Sequence, residues 1–191
     1  MKHLLLSAVL FGLSNMAFAD KSFNIDAKSS SLEWTGKKVA GQHVGTINLK
    51  SGTVVLDDNG VLKSAEFTAD MTSISATDLE GEWKGKLDGH LKSDDFFSTE
   101  KNTESKMSLK KIISKKGDKY EVESNLTIKG ITNPVKFTVD LSNKEKPVLA
   151  GNLTFDRTKF NVKYNSGSFF EGLGDKMIYN DVELKFSVKT K

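Results

Sequence analysis

The chain has 191 residues, of which 37% are hydrophobic and 28% are charged, and its formal net charge is +3. It contains no cysteine, which excludes disulfides, thiol catalysis, iron–sulfur clusters and cysteine-ligated zinc. The excess of basic residues is small and evenly spread, so the composition does not predict a nucleic-acid partner.

Residues 1–19 predict a secretory signal peptide. Lys2 precedes an apolar run over residues 4–13, and the segment ends in the small-residue pattern of Ala17 and Ala19. The run is roughly half of the 20 residues that a membrane-spanning helix needs. We therefore expect cleavage after Ala19, a periplasmic location and one mature domain, residues 20–191.

Strict alternation of apolar and polar residues recurs along the mature chain and predicts about eight strands. Residues 65–71 show this pattern clearly. Short turn signals, such as residues 57–60 and 116–118, separate several strands and imply antiparallel neighbours. A closed sheet buries every apolar face and removes free edges. We predict an all-β protein, an eight-stranded antiparallel up-and-down β-barrel of the lipocalin-like kind.

Two segments depart from this alternation. Apolar residues spaced by four, among them Trp83 and Leu91, predict a short helix within residues 78–98, with Asp78 as its cap. Residues 158–176 are rich in glycine and aromatic residues and have no strand pattern. We expect the helix to cover one end of the barrel, and residues 158–176 to form a flap at an opening.

The alternation alone does not show which face of the sheet points inward. An apolar interior gives a lipocalin-like barrel, whereas an apolar exterior gives an outer-membrane barrel with a polar lumen. Outer-membrane barrels carry aromatic girdles, but this chain has only three tyrosines and two tryptophans. Lysine and glutamate also occupy the whole polar face. We therefore predict that the apolar face points inward.

The predicted interior mixes small and large apolar side chains, which favours a cavity. Ala65, Ala69 and Gly151 leave space beside Phe67 and Phe137. An eight-stranded barrel either fills its interior or holds one ligand. Apolar walls suit an extended hydrocarbon chain, at ~0.8 kcal/mol per buried CH₂ group. The alternative is a filled core, in which case the protein would be a structural or protein-interaction module.

Several short motifs follow one another along the chain, at residues 32–34, 38–45, 70–74, 87–97, 126–132 and 155–160. The most specific is the segment from Gly89 to Phe97. In these motifs the chain resembles the YceI-like family of bacterial periplasmic proteins. The resemblance implies a lipocalin-like barrel that holds a polyisoprenoid, an isoprenoid quinone or a similar lipid, with no catalytic machinery. Lys101-Asn102 departs from the family pattern and predicts a small change in a loop.

The inward pattern and the resemblance together predict a set of ligand-contacting residues. These are Trp34, Phe67, Met71, Trp83, His90, Leu126, Phe137, Val139, Leu153, Phe155, Arg157 and Phe186. We expect His90 and Asp95 to organise the entrance. Asp156 and Arg157 are expected to form an ion pair or a turn, and the alternative is that Arg157 meets a phosphate or carbonyl head group.

The sequence has no evident catalytic or metal-binding motif. His43 and His90 could bind a metal with Asp88 or Asp94, but they lack ligand spacing. No serine lies in a G-x-S-x-G elbow. We predict a binding protein rather than an enzyme, with no catalytic cofactor and a hydrophobic small molecule as its partner. Transient membrane contact, a membrane-bound cytochrome partner and a homodimer all stay open.

Overall fold

A computed structural model describes residues 19–191. The strands are β1 (Lys21–Asn24), β2 (Ser31–Lys38), β3 (Gly41–Leu56), β4 (Leu62–Ala76), β5 (Glu104–Lys116), β6 (Lys119–Ile128), β7 (Ile131–Ser142), β8 (Val148–Asp156) and β9 (Ile178–Lys189). Helix α1 (Gly81–Lys92) lies between β4 and β5, and two short 3-10 helices (Arg157–Phe160 and Gly174–Lys176) lie between β8 and β9. The predicted signal peptide lies outside the described residues except for Ala19, and it stays a prediction.

Strands β2 to β9 form a closed antiparallel barrel in which each strand pairs with its neighbours in sequence. The sheet closes where β9 pairs with β2, with Phe186 opposite Leu32 and Leu184 opposite Trp34. This arrangement confirms the predicted eight-stranded up-and-down barrel. Within residues 19–191, no helix is long and apolar enough to cross a membrane.

Strand β1 is a ninth strand that the alternation did not predict, because four residues are too few to show a period. It pairs with the second half of β3, with Asn24 opposite Thr53, beyond the part of β3 that β2 covers. A bridge then joins Ile25 to Thr190 at the end of the chain. Strand β1 therefore covers the part of β3 that β2 leaves unpaired, and the residue after β1 contacts the residue after β9.

The apolar face of the sheet points inward, as predicted. On β6 the buried side chains include Tyr120, Val122 and Leu126, and the same face carries the buried Ser124. The outward face carries the charges, many of them in ion pairs. Glu123 is buried on that outer face, and Lys110 contacts its carboxylate at 2.8 Å.

The connections between strands alternate between the two ends of the barrel because all neighbours are antiparallel. Three short turns, at residues 57–61, 117–118 and 143–147, lie at one end, which we call the turn end. The other end holds residues 39–40, 77–103, 129–130 and 157–177, and we call it the loop end. Helix α1 and the segment between β8 and β9 thus cover the same end of the barrel.

Helix α1 lies within the predicted range, but its predicted cap is wrong. The residue before the helix is Glu80, which makes no side-chain cap hydrogen bond. Asp78 instead pairs with Nδ1 of His43 at 2.9 Å, at the start of β3. Sequence spacing identified the helical turns but not the partner that this carboxylate finds on a distant strand.

Asp88 anchors α1 to β4. Its carboxylate accepts hydrogen bonds from the Ala76 N–H at 2.7 Å, the Ser75 hydroxyl at 2.8 Å and the Lys84 ammonium at 2.7 Å. Burial raises the pKa of Asp88, but the hydrogen bonds from Lys84, Ala76 and Ser75 outweigh it and hold the pKa below the ordinary 3.8. The contact therefore stabilises the fold while the carboxylate is ionised.

Asp88→Asn is expected to lower the free energy of unfolding by about 1–3 kcal/mol near neutral pH, because a partly buried hydrogen-bond network loses its charged acceptor. A depressed pKa stabilises the fold above the unfolded-state value, and this contribution is lost as the pH falls through the folded-state value. The difference from wild type should therefore shrink near pH 3. Urea unfolding near neutral pH and near pH 3 measures this difference in the free energy of unfolding. Glu82→Gln, in an exposed pair with Lys86 on the same helix, is the control and should change little. An Asp88→Asn deficit that is the same at both pH values would contradict this account.

Candidate ligand-binding cavity

A cavity of about 130 Å³ lies inside the barrel and extends inward from the loop end. Strands β2 to β6, β8 and β9 supply its walls, and Leu91, Phe96 and Phe97 close it from the α1 side. The wall is apolar almost throughout. At the loop end the lining includes the partly exposed Gly36 and Ile178 and the half-exposed Tyr179. The cavity therefore reaches solvent at this end.

The structure brings most of the predicted contact residues to this one cavity. They are Trp34, Phe67, Met71, Leu126, Phe155, Arg157 and Phe186. They come from five different strands and from the start of the segment that follows β8. These residues occupy inward positions in the alternation along each strand, and barrel closure brings those positions to a common wall.

Two further predicted residues line a second, smaller cavity. Phe137 and Val139 contact a space of about 20 Å³ toward the turn end. Phe67 and Phe186 line both cavities, and the ring of Phe186 meets that of Phe137 edge-on at 5.9 Å. The aromatic rings therefore divide the barrel interior into two parts.

Three predicted contact residues lie outside both cavities. Leu153 is buried at 3% exposure and fills the core. Trp83 is 70% exposed on α1. Each four-residue step along a helix turns about 400°, so two steps displace Trp83 by about 80° from the buried Leu91. The His90 ring packs edge-on against Tyr164 and Phe96, with centroids at 4.5 and 4.9 Å.

The predicted contact set omits many residues of the lining, among them Ile74, Ser105, Ile178 and Tyr179. Ile74 follows an irregularity in the β3–β4 register, so it lies inward three residues after Met71. The alternation through Met107 places Ser105 on the inner face, but its polar side chain does not fit the apolar pattern that was used to predict the lining. No pattern in residues 158–176 indicates where β9 begins.

Arg157 is fully buried at the loop end and holds the flap of residues 158–176. Its Nε donates to the Tyr179 carbonyl at 3.0 Å, and its two terminal nitrogens donate to the carbonyls of Val162 at 2.8 Å and Ile178 at 3.0 Å. Burial lowers the pKa of Arg157. The guanidinium thus joins the beginning of this segment to the first residues of β9.

Asp156 and Arg157 do not form the predicted ion pair, but Asp156 does form the predicted turn. Asp156 accepts hydrogen bonds from the Thr158 N–H at 2.9 Å and from the Thr158 hydroxyl at 2.6 Å. These bonds cap the short 3-10 helix that begins at Arg157. The carboxylate prefers this local turn because its donors lie only two residues away.

A lysine connects the two covers of the loop end. Lys129, in the turn between β6 and β7, donates to the Phe96 carbonyl at 2.7 Å and to the Asn161 carbonyl at 3.3 Å. Burial lowers the pKa of Lys129, and Asp94 partly offsets this effect. The α1 segment and the flap are therefore tied to the same point of the barrel rim.

The two histidines of the described chain each pair with a different carboxylate. His43 contacts Asp78, and Nε2 of His90 lies 3.2 Å from Asp95. Within residues 19–191 no three His, Asp or Glu side chains meet in a group that could hold a metal ion. The contact between His90 and Asp95 lies at the loop end, beside the aromatic ring of Phe96.

The loop end exposes most of the large apolar side chains that residues 19–191 leave in solvent. They are Val39, Trp83, Ile131, Phe169, Phe170 and Tyr179, with exposed fractions from 37% to 70%. The exception is Ile113 on β5, at 41%. Lys163 lies 4.6 Å from the ring centre of Phe169. An apolar and aromatic rim therefore surrounds the open end of the cavity.

Comparison with known proteins relates the whole described domain to one family. A family model for the YceI-like domain matches residues 23–190. A UPF0312 protein of Staphylococcus epidermidis is 31% identical over 153 residues, which cover 75% of this chain and 83% of that protein. A UPF0312 protein of Photorhabdus laumondii is 34% identical over 89 residues, so the match spans 47% of this chain and about half, 46%, of that protein.

Two solved structures share the fold. Burkholderia cenocepacia BcnA has a TM-score of 0.70 at 20% identity, over 87% of this chain and 99% of its own. A polyisoprenoid binding domain from Saccharophagus degradans has a TM-score of 0.64 at 12% identity, over 91% of this chain and 98% of its own. At these identities the similarity establishes the barrel architecture.

Arg157→Lys is expected to loosen the flap, because an ammonium cannot reproduce the planar fork that reaches three carbonyls. We expect a loss of about 1–3 kcal/mol in the free energy of unfolding. Amide hydrogen exchange should speed up most in residues 158–177. Lys159→Met, a change at the exposed neighbour two residues away, is the control. Unchanged exchange in this segment would show that Arg157 does not hold it.

Proposed function

The chain belongs to the YceI-like family, and we propose that it binds an apolar small molecule, an isoprenoid lipid or isoprenoid quinone, inside its barrel. The observation that carries the proposal is the apolar cavity that opens at the loop end. The Saccharophagus degradans domain that shares the fold is described as polyisoprenoid binding, which supports this class of ligand. We further propose a carrier role in the periplasm, on the basis of the sequence of residues 1–19.

In this proposal the cavity wall supplies hydrophobic binding energy, and no residue of the wall takes part in a reaction. Each buried CH₂ contributes ~0.8 kcal/mol, so about ten carbons contribute roughly 8 kcal/mol before ordering costs, which corresponds to near-micromolar affinity. A structural module with a filled core is the other hypothesis. It gives no account of an apolar cavity that reaches solvent.

The size of the cavity limits what can enter without rearrangement. At about 130 Å³ it is close to the engineered cavity of about 150 Å³ that holds one benzene molecule. A chain of several isoprene units therefore requires the interior to widen. Met71 and Met107 in the wall have flexible side chains that can move aside. Rotation of Phe67 and Phe186 would join the second cavity to the first.

The apolar rim of the loop end supports a route for loading. A water-insoluble ligand resides in a membrane, so we propose that the loop end contacts the membrane surface during transfer. Half-exposed aromatic side chains with neighbouring lysines suit the boundary between lipid and water. Lys86 near the Trp83 ring, at 4.8 Å, repeats the arrangement of Lys163 and Phe169.

Ala69→Phe is expected to fill the cavity and to abolish retention of an isoprenoid alcohol. Ala69 lines the cavity wall, and a phenyl ring there occupies space that the ligand needs. Native mass spectrometry after incubation with farnesol, geranylgeraniol or solanesol measures the bound fraction. Ala150→Phe, on the outer face of β8, is the matched control and should bind like wild type. A wild-type protein that stays empty with all three alcohols would refute the proposed function.

Replacing Phe169 and Phe170 together with serine is expected to slow ligand transfer from vesicles severalfold, while the equilibrium affinity stays unchanged. The reason is that these side chains lie on the rim and do not line the cavity. The measurement is the rate of farnesol transfer from phosphatidylcholine vesicles to the protein. Ile113→Ser removes an exposed apolar side chain away from the loop end and serves as the control. Equal transfer rates for the double variant and wild type would contradict contact through the rim.

A further inference from the structure

Two buried side-chain polar atoms of residues 19–191 have no hydrogen-bond partner, and both belong to residues that line the cavity. They are Nε1 of Trp34 and Oγ of Ser105. Trp34 is 6% exposed and Ser105 is 9% exposed. Both atoms have almost no accessible surface, so a partner reaches them only when side chains around the cavity move. Native proteins pair nearly all their buried polar groups, so these two unpaired atoms are candidates for such a partner.

The position of the Trp34 indole is fixed by the fold. Trp34 on β2 lies opposite Gly45 on β3, and its ring packs over that glycine. A Cβ atom at Gly45 would lie 2.5 Å from Cζ2 and 2.6 Å from Cε2 of the indole. Nε1 is bonded to Cε2, so the same contact determines where the N–H group lies. The donor is therefore held in place before any ligand enters.

We infer that Trp34 and Ser105 form a polar subsite for a neutral oxygen carried by an otherwise apolar ligand. The indole N–H is a donor only, so it requires an acceptor such as a ketone, quinone or alcohol oxygen. The Ser105 hydroxyl can donate or accept, and it offers a second polar contact from β5, three strands away from β2 around the barrel. This inference rests on the proposed function and extends it, because it specifies a polar group that the ligand carries.

The charges around the cavity favour a neutral oxygen over an anionic head group. Arg157 and Lys106 are the cationic residues of the lining. The guanidinium of Arg157 already donates to three main-chain carbonyls. The ammonium of Lys106 lies outside, 3.4 Å from the carboxylate of Glu104. Neither Arg157 nor Lys106 is therefore free to bind a phosphate, whereas a carbonyl oxygen requires only the unpaired donors.

A matched pair of small ligands tests the subsite. Acetophenone and α-methylstyrene have the same shape, and only the first carries a carbonyl oxygen. We expect acetophenone to bind about tenfold more tightly, a difference of ~1.4 kcal/mol. The chain has two tryptophans, so the protein labelled with nitrogen-15 gives two indole N–H resonances, and Trp83→Phe assigns them. Acetophenone should move the Trp34 indole proton downfield, and α-methylstyrene should not.

Two variants remove the donors one at a time. Trp34→Phe keeps an aromatic ring but has no N–H, and it should lose most of the preference for acetophenone while it still binds α-methylstyrene. Ser105→Ala should lower the preference to a smaller extent. Trp83→Phe, the same substitution at an exposed site, should retain it. If Trp34→Phe does not fold, the wild-type indole shift and Ser105→Ala decide the question.

The outcomes separate this inference from the proposed function. If both compounds bind equally and the Trp34 indole proton does not move, the cavity binds apolar molecules but the polar subsite is wrong. If neither compound binds and the isoprenoid alcohols do not bind either, the proposed function and the subsite fall together. If the ketone preference survives in Trp34→Phe, Trp34 is not the donor.

Discussion

The pairing of β9 with β2 closes the sheet, and the other features of the structure depend on that closure. An open sheet with this alternation would leave its apolar face exposed or would need a second layer to cover it. Closure buries that face against itself and removes the free edges. It also directs side chains from distant parts of the chain, such as Trp34 and Phe186, toward a common space.

Large side chains of the interior lie against glycines of neighbouring strands, and this leaves a cavity between them. A Cβ at Gly151 would come 2.9 Å from Cζ of Phe186, and Gly45 gives the same freedom to Trp34. The rings therefore lie close to the sheet rather than across the centre of the barrel. At the loop end Arg157 and Lys129 bind main-chain carbonyls of the covering segments. The cavity is thus bounded by defined contacts around an opening.

The fold could be predicted from the sequence because each barrel strand has its own period-two pattern, and a closed sheet is the simplest structure that buries all of them. Strand β1 could not be predicted, because it is defined by its partners and not by a period. The same holds for the carboxylate of Asp78. Its partner His43 lies on a distant strand, which local spacing does not specify, whereas the turn at Asp156 is local and was predicted.

The candidate site was predictable where the alternation of inward and outward residues is unbroken, and not where it is interrupted. Phe67 and Leu126 lie where the alternation places them, whereas Ile74 lies inward because the register of β4 shifts before it. Trp83 was misplaced because a four-residue repeat drifts around a helix. The unpaired groups of Trp34 and Ser105 were beyond the reach of sequence reasoning, since a missing partner becomes visible only when every neighbour is in place.

The most direct test of the central claim is a crystal structure of the mature protein saturated with geranylgeraniol. The account predicts continuous density for the isoprenoid chain inside the barrel, with its oxygen near Trp34 and with the rings of Phe67 and Phe186 rotated to admit the far end. An unchanged interior with the alcohol bound only on the outer surface would contradict it.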